Sequence, residues 1–222
     1  MVTVLKIGGS LAKDPMTLTQ LCQELSVLAK DHRILIIPGG GEFADIARKL
    51  YKNYGFSDPV AHKMGILSMD QFGLFLSDII ADSFLSDSLE EIRKSIKGKA
   101  PIFLPSTSMF LEDPLEKSWD VTSDSIAAYI ANLLQAQKLL LVTDVDGIFY
   151  QDPKKNLDAK LFEELSAQEL LSWNKRTSVD KTLPKILLRT KLDCYVVNGK
   201  YPERIKPILE NKKISKCTHI TI

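Results

Sequence analysis

The sequence predicts an α/β domain built on a mainly parallel central sheet. Three observations carry that prediction. Short apolar runs stop at glycine turns, segments of helical period separate those runs, and the order strand, glycine turn, helix occurs twice within about forty residues, the grammar of a parallel βαβ sheet. At 222 residues, 45% of them hydrophobic, the chain can bury one substantial core, so a single domain over 1–222 is expected.

Met1 to Ser10 (MVTVLKIGGS) is an apolar run that reaches Lys6 and breaks into Gly8-Gly9. It reads as a buried strand ending in a tight turn. Two consecutive glycines let backbone N–H groups converge on an anion with no Cβ in the way, and Lys6 supplies positive charge. Thr17 to Lys30 carries Leu18, Leu21, Cys22, Leu25, Leu28 and Ala29 at helical spacing and is the expected crossover helix. Arg33 to Ile37 is a second apolar strand, running straight into Pro38-Gly39-Gly40-Gly41. Glu42 to Tyr54 follows as a helix. The glycine triplet then sits at a helix N-terminus, where free N–H groups and the dipole favour anions. In a parallel sheet both turns face one crevice at the carboxyl ends of the strands, which points to a phosphorylated ligand. GxGxxG and the P-loop pattern are absent, disfavouring a dinucleotide fold and a P-loop NTPase.

Val60 to Phe84 is a long apolar-rich segment at helical spacing, in which His62 reads as a structural histidine before a catalytic one. Ser88 to Lys97 is an amphipathic helix and Ile102 to Leu104 a short strand. In Ser118 to Leu134, Thr122 is a helix cap, and Ile126, Ala127, Ile130, Ala131 and Leu134 form a tightly packed face. Asp120 and Asp124 lie near the start of that helix. Two readings of Asp124 stay open: capping, or orienting Lys6.

Lys138 to Val142 is an apolar strand ending in Thr143-Asp144-Val145-Asp146-Gly147-Ile148-Phe149-Tyr150. It places two carboxylates and a hydroxyl at the sheet's carboxyl edge. The aromatic pair and the following QDPKK suit a loop that covers a base and approaches phosphates. Phosphoryl transfer needs positioning and positive charge more than a strong base, and lysines arriving from opposite sides would meet that need. Asp144 and Asp146 are open to two uses, reading ribose hydroxyls or holding a divalent metal; the expectation is no protein-held metal. Leu161 to Trp173 reads as helical, Arg176 to Thr182 as a polar loop that closes over a nucleotide, and Lys185 as a further phosphate-contacting candidate. Cys194 to Val197 is another strand, Tyr201 to Leu209 a helix opened by Pro202, and Thr218 to Ile222 a closing strand.

A formal net charge of +1 gives no reason to expect a nucleic-acid surface. No apolar run approaches the roughly 18 residues of a membrane span, and no apolar leader precedes a cleavage site, so a cytoplasmic, soluble protein without a membrane partner is expected. Cys22, Cys194 and Cys217 lack CxxC or Cys/His spacing and read as reduced packing residues.

Four motifs in register resemble the amino acid kinase family: KIGGS at Lys6, PGGGEFAD at Pro38, WDVTSDSIA at Trp119 and TDVDGIFYQDPK at Thr143. That family includes acetylglutamate, carbamate, uridylate and isopentenyl phosphate kinases, and the match covers essentially the whole chain in order. The resemblance implies a three-layer αβα sandwich with an acceptor-binding lobe over 1–137 and a nucleotide-binding lobe over 138–222. It implies an ATP-dependent kinase with Mg2+ carried by the nucleotide phosphates, and a homo-oligomer associating through the N-terminal half. Residue by residue, Lys6 stabilises the transferring phosphoryl group, Gly8, Gly9 and Ser10 donate hydrogen bonds to ATP phosphates, and Asp124 holds Lys6. Thr143, Asp144, Asp146, Gly147, Phe149, Tyr150 and Lys154 line the ATP site, with Lys154 and Lys185 both claiming the role of second phosphate-contacting lysine. Gly39, Gly40 and Gly41 cradle the acceptor beside Glu42, Asp45, Trp119 and Asp120.

Four further stretches are similar to the branch of that family that serves methanofuran synthesis: AHKMGILSMDQFG at Ala61, SWDVTSDS at Ser118, TSVDKTLP at Thr177 and YVVNGKYPERI at Tyr195. They imply a small phosphate monoester, (5-(aminomethyl)furan-3-yl)methyl phosphate, converted to its diphosphate. Isopentenyl phosphate kinases carry a histidine shortly after the glycine triplet, where this chain has Asp45. A carboxylate repels phosphate and pairs with ammonium. With Glu42 it makes an acidic rim suited to an acceptor with a phosphate at one end and an aminomethyl group at the other. The alternatives are isopentenyl phosphate, a nucleoside monophosphate or an acylamino acid as acceptor, or a non-catalytic anion binder, against which Lys6, Asp124 and the glycine turns argue.

Overall fold

The computed structural model describes residues 2–112, 114–156 and 158–222; Met1 of the opening stretch lies outside them. In chain order, β1 (Thr3–Ile7) passes through a 3-10 turn (Gly9–Lys13) into α1 (Pro15–Asp31), then β2 (Ile34–Pro38), α2 (Gly41–Tyr54), α3 (Asp58–Ile79), β3 (Ser83–Ser86), α4 (Leu89–Ser95), β4 (Ala100–Phe103), α5 (Ser106–Glu112) and α6 (Ser123–Leu133). The remainder is β5 (Lys138–Thr143), β6 (Ile148–Phe149), β7 (Leu161–Phe162), β8 (Glu164–Ser166), α7 (Ala167–Ser172), α8 (Leu183–Thr190), β9 (Asp193–Asn198), a 3-10 turn (Pro202–Arg204), α9 (Ile205–Leu209) and β10 (Cys217–Thr221).

An eight-stranded sheet runs β3-β4-β2-β1-β5-β9-β10-β8. Its pairings are parallel except β9 with β10, which is antiparallel. The expected mainly parallel α/β architecture is thus the one observed. Along β1, Val4 enters one core while Leu5 and Ile7 enter the other, as a pleat of period two dictates. Leu35 and Ile37 share Val4's side, and Ile34 and Ile36 the opposite one. Residues of α6, α7 and α8 cover the first face, and those of α1 and α9 the second, giving the three-layer sandwich. Each fully buried Leu or Ile contributes about 1.5–3 kcal/mol against the entropy of ordering the chain. Lys6 lies between Leu5 and Ile7, so it projects to the face that α6 covers.

The local signals explain most of the boundaries. Asp14 caps α1 by accepting from the Met16 and Thr17 N–H groups, with Pro15 at the first helical position. Gly55, at φ 62°, ends α2. Thr122 caps α6, as expected. Two expectations are corrected. The helix expected over Val60 to Phe84 stops at Ile79, because the chain turns through Asp82 at φ 56° and Ser83 enters the sheet edge. The helix expected over Leu161 to Trp173 is instead β7, β8 and the short α7. There β7 pairs with β6 and β8 with β10, and these pairings, made with residues distant in sequence, override the helical period. Among the described residues no helix is long and apolar enough to cross a membrane. Cys22, Cys194 and Cys217 are buried and unbridged, and burial pushes the Cys22 thiol up to about 12.

Candidate active site

The two glycine turns cross each other in contact at the carboxyl edge of the sheet. A Cβ on Gly9 would lie 2.2 Å from Gly41 N and 2.3 Å from its Cα, so only glycine permits the approach. Gly41 opens α2 at φ 55°, a conformation glycine adopts at no steric cost. Two amides of the turns are already engaged: Gly8 N–H donates to Val142 O at 2.7 Å and Gly39 N–H to Ile7 O at 2.8 Å. Those bonds lock the turns to the strands, leaving Gly9 and Ser10 on one side and Gly40 and Gly41 on the other to meet an anion. These four line a cleft of about 590 Å3.

Lys6 rises into this cleft with Nζ 2.7 Å from Asp124 Oδ1, and both side chains are nearly buried, 11% and 5% exposed. This is the Lys6 and Asp124 pairing the sequence raised. Behind it stands Asp180, which sequence reading left inside a polar loop. Its Oδ2 accepts from Thr122 N–H, Thr122 Oγ1 and Ser125 N–H at 2.9–3.0 Å. Its Oδ1 accepts from Ser125 Oγ at 2.6 Å, Leu183 N–H at 2.8 Å and Thr182 N–H at 3.1 Å. Burial pushes the Asp180 carboxyl above the usual range, the Asp124 charge adds to that, and the donors oppose it. The signal available in the sequence was indirect: Thr122 and Ser125 are small hydroxyl residues on either side of Asp124 at the start of a mostly apolar helix.

From the turn after β5 and the segment that follows it, Thr143, Asp144, Phe149, Tyr150 and Lys154 line the cleft. Lys154 forms an ion pair with Asp144. Burial would raise the Asp144 carboxyl, but Lys154, joined by the Ser10 hydroxyl, overrides it and holds the group below its ordinary range. The ammonium of Lys175 lies 3.5 Å from the Tyr150 ring centroid and donates to the Tyr150 carbonyl at 2.7 Å. Lys175, Arg176, Thr177 and Ser178 also face the cleft, so the first residues of the polar loop expected over Arg176 to Thr182 stand at its wall.

Three residues expected here are placed elsewhere. Asp146 turns to Arg204 Nη1 at 2.6 Å and Asn198 Nδ2 at 3.0 Å, tying the turn after β5 to the last third of the chain. Gly147 packs against Thr218, whose Oγ1 would stand 2.4 Å from an added Cβ. Lys185 lies on the exposed side of α8, outside the cleft lining. Of the two candidate lysines, the structure brings Lys154 to Lys6's cleft.

From α2, Glu42, Asp45 and Arg48 line the cleft, with Arg48 Nη1 2.8 Å from Asp45 Oδ1. Sequence reading missed Arg48, although it recurs at helical spacing from Gly41 and Ala44 on the same face of α2. Its guanidinium lies 5.2 Å from the Trp119 ring. Trp119 itself lines a small annex of about 50 Å3 with His62, Met69, Val121 and Ile126, and the annex shares Gly40, Ala44 and Arg48 with the main cleft. Two residues expected to contact the acceptor lie outside both linings: Asp120 pairs with Lys181 at 3.3 Å, and Gly39 gives its N–H to Ile7 O.

Backbone N–H groups and cationic side chains gathered at the carboxyl edge of a parallel sheet serve phosphoryl transfer, and the class of protein is an ATP-dependent phosphotransferase. The chain belongs to the amino acid kinase family, whose model matches residues 1–198. A [5-(aminomethyl)furan-3-yl]methyl phosphate kinase of Methanocaldococcus jannaschii is 39% identical over 94% of this chain and 93% of its own. A uridylate kinase of Pyrococcus abyssi is 28% identical over 94% of this chain and 95% of its own. Among solved structures, a uridylate kinase from Archaeoglobus fulgidus superposes with a TM-score of 0.78 at 23% identity, covering 100% of both chains, which shows the shared fold.

Proposed function

We propose that the chain transfers the γ-phosphoryl group of ATP to the phosphate of a small monoester, and that the acceptor is [5-(aminomethyl)furan-3-yl]methyl phosphate. The observation that carries the choice of acceptor is the annex beside Gly40. It is a small recess of about 50 Å3 that opens into the main cleft. Its walls are mostly apolar with Trp119 as the aromatic face and Arg48 as a cation, and the carboxylates Asp45, paired with Arg48, and Glu42 line the adjoining cleft. Arg48 suits the acceptor phosphate and the carboxylates its ammonium, the charge pattern of an aminomethyl phosphate monoester. The 39% identical relative acts on that compound.

The chemistry asks little of the protein beyond placement. An anionic acceptor oxygen attacks Pγ, the new P–O bond forms as the bond to the β-phosphate bridging oxygen breaks, and ADP leaves. No proton has to be removed from the nucleophile, so no general base is required. Lys6 meets the charge on the transferring group, Gly9, Ser10 and Lys154 hold the ATP phosphates, and Gly40 and Gly41 hold the acceptor. Mg2+ carried by the nucleotide supplies charge neutralisation between the phosphates. In this reading residues 1–137 supply the acceptor side, and 138–222 the nucleotide side apart from the Gly9 and Ser10 contacts to the ATP phosphates.

A nucleoside monophosphate is the second reading, favoured by the uridylate kinase relatives at 28% identity, and the 39% identity of the aminomethylfuran phosphate kinase weighs against it. An acceptor panel with ATP separates the two. With equal concentrations of the aminomethylfuran phosphate, UMP, isopentenyl phosphate and N-acetylglutamate, kcat/KM for the first is expected to exceed each other by roughly 100-fold or more, a difference of about 2.7 kcal/mol. Equal or better turnover of UMP would replace the proposed acceptor.

A further inference from the structure

We infer that Asp180 is a positioning residue for the catalytic lysine, acting through Asp124, and that it ties the nucleotide-side loop to the Lys6 pair. The inference rests on the kinase reading of Lys6. Asp180 grips the chain on both sides of Asp124, through Thr122 and through Ser125. Its own backbone N–H donates to Asp124 Oδ2 at 3.1 Å, and the remaining oxygen, Oδ1, is the one 2.7 Å from Lys6 Nζ. Asp124 is therefore held at its backbone and at one carboxylate oxygen by Asp180, with the other oxygen aimed at the lysine. On its second side Asp180 accepts from the Thr182 and Leu183 N–H groups at the start of α8. Just before it in sequence, Lys175 to Ser178 face the cleft. Thr182 Oγ1 adds a bond to the Asp120 carbonyl at 3.2 Å, and Lys181 pairs with Asp120. The loop from the second half of the chain is thus fastened to the segment that aims Lys6.

The chemistry of the position is strict. Each carboxylate oxygen faces three donors, so an acceptor is required at both atoms. Asn matches Asp in shape but brings an NH2 group with two donors. Either orientation of its amide sets those donors against backbone N–H groups, of Thr122 and Ser125 or of Thr182 and Leu183. Asp180→Asn is therefore expected to act almost like a deletion of the group, freeing Asp124 to rotate off Lys6.

The test is a double-mutant cycle in kcat with [5-(aminomethyl)furan-3-yl]methyl phosphate and ATP, measured well below the unfolding temperature of each variant, together with a crystal structure of Asp180→Asn. Asp180→Asn is expected to lower kcat by roughly 100-fold while KM for ATP moves by less than about 3-fold, and to lower Tm by roughly 10 °C. In an Asp124→Asn background the same substitution is expected to lower kcat by less than about 3-fold further, because its route to Lys6 is already broken. Additive losses would overturn the inference. Should Asp180→Asn not fold, Ser125→Ala removes one donor from Oδ1 and keeps the rest; it is expected to lower kcat by about 5-fold, and an unchanged kcat would overturn the inference equally. In the crystal structure the Lys6 to Asp124 contact is expected to be lost, and its retention would count against the positioning role. If the wild-type chain phosphorylates no acceptor while that structure shows Asp124 displaced, the functional reading falls and the positioning role stands.

Discussion

Lys6→Ala is expected to lower kcat by roughly 1,000-fold while leaving KM for ATP within about 3-fold, the pattern of an interaction made in the transition state. In-line transfer to an oxygen that is already anionic has no base step to lose, so the whole loss falls on charge stabilisation at the moving phosphoryl group. The same substitution strips a nearly buried carboxylate, Asp124, of its counter-ion. Breaking one side of a buried pair costs about 3–5 kcal/mol, so Tm is expected to fall by roughly 10 °C for a chain of this length. The two effects separate in a Lys6→Met, Asp124→Asn double variant. Removing both charges is expected to recover most of the lost Tm and none of the kcat. A double variant that regains turnover would show that the lysine serves stability alone.

Gly9→Ala is the second large effect expected. The new methyl group would sit 2.2 Å from Gly41 N, far inside van der Waals contact and against backbone, which cannot rotate away. Either turn must move, yet Gly8 and Gly39 pin both to the strand ends through Val142 and Ile7. Transfer is expected to fall by roughly 100-fold or more as the ATP and acceptor cradles separate, with a Tm loss of several degrees from the strained crossing. Gly55→Ala is the matched control, since an added Cβ there meets nothing within 4 Å and carries only the strain of φ 62°. It is expected to cost about 1 kcal/mol and leave kcat unchanged. Equal turnover by Gly9→Ala and wild type would mean that the turns do not act as one site.

The parts of the site that lie on strong local signals were legible in the sequence. The apolar runs ending at Ile7, Pro38 and Thr143 can only be central strands, and parallel pairing of β1 with β2 and β5 brings their ends together. Once those ends coincide, Lys6, the glycine turns and Asp144 must share an edge. Thr122 announced the start of α6, but the cap left Asp124 open between capping and orienting Lys6, and only the packing of α6 over the face to which Lys6 points decides for the lysine. What stayed illegible depends on partners far along the chain. Nothing near Asp180 marks it as the anchor of Thr122 and Ser125, more than fifty residues earlier. Asp144 and Asp146 look equivalent in TDVDG, yet Arg204 and Asn198 draw the second away. Leu161 to Trp173 has the period of a helix and is claimed by sheet partners on β6 and β10. Arg48 was readable from its spacing on α2, but its stacking on Trp119 was not.

The most direct test of the account is a crystal structure of the wild-type chain with a non-hydrolysable ATP analogue and Mg2+. The triphosphate is expected to run between the Gly9-Ser10 turn and the Asp144 and Lys154 pair, with its terminal phosphate within hydrogen-bond reach of Lys6 Nζ and the annex beside Trp119 left open for the acceptor. A nucleotide seated with its terminal phosphate away from Lys6, or bound outside this cleft altogether, would contradict it.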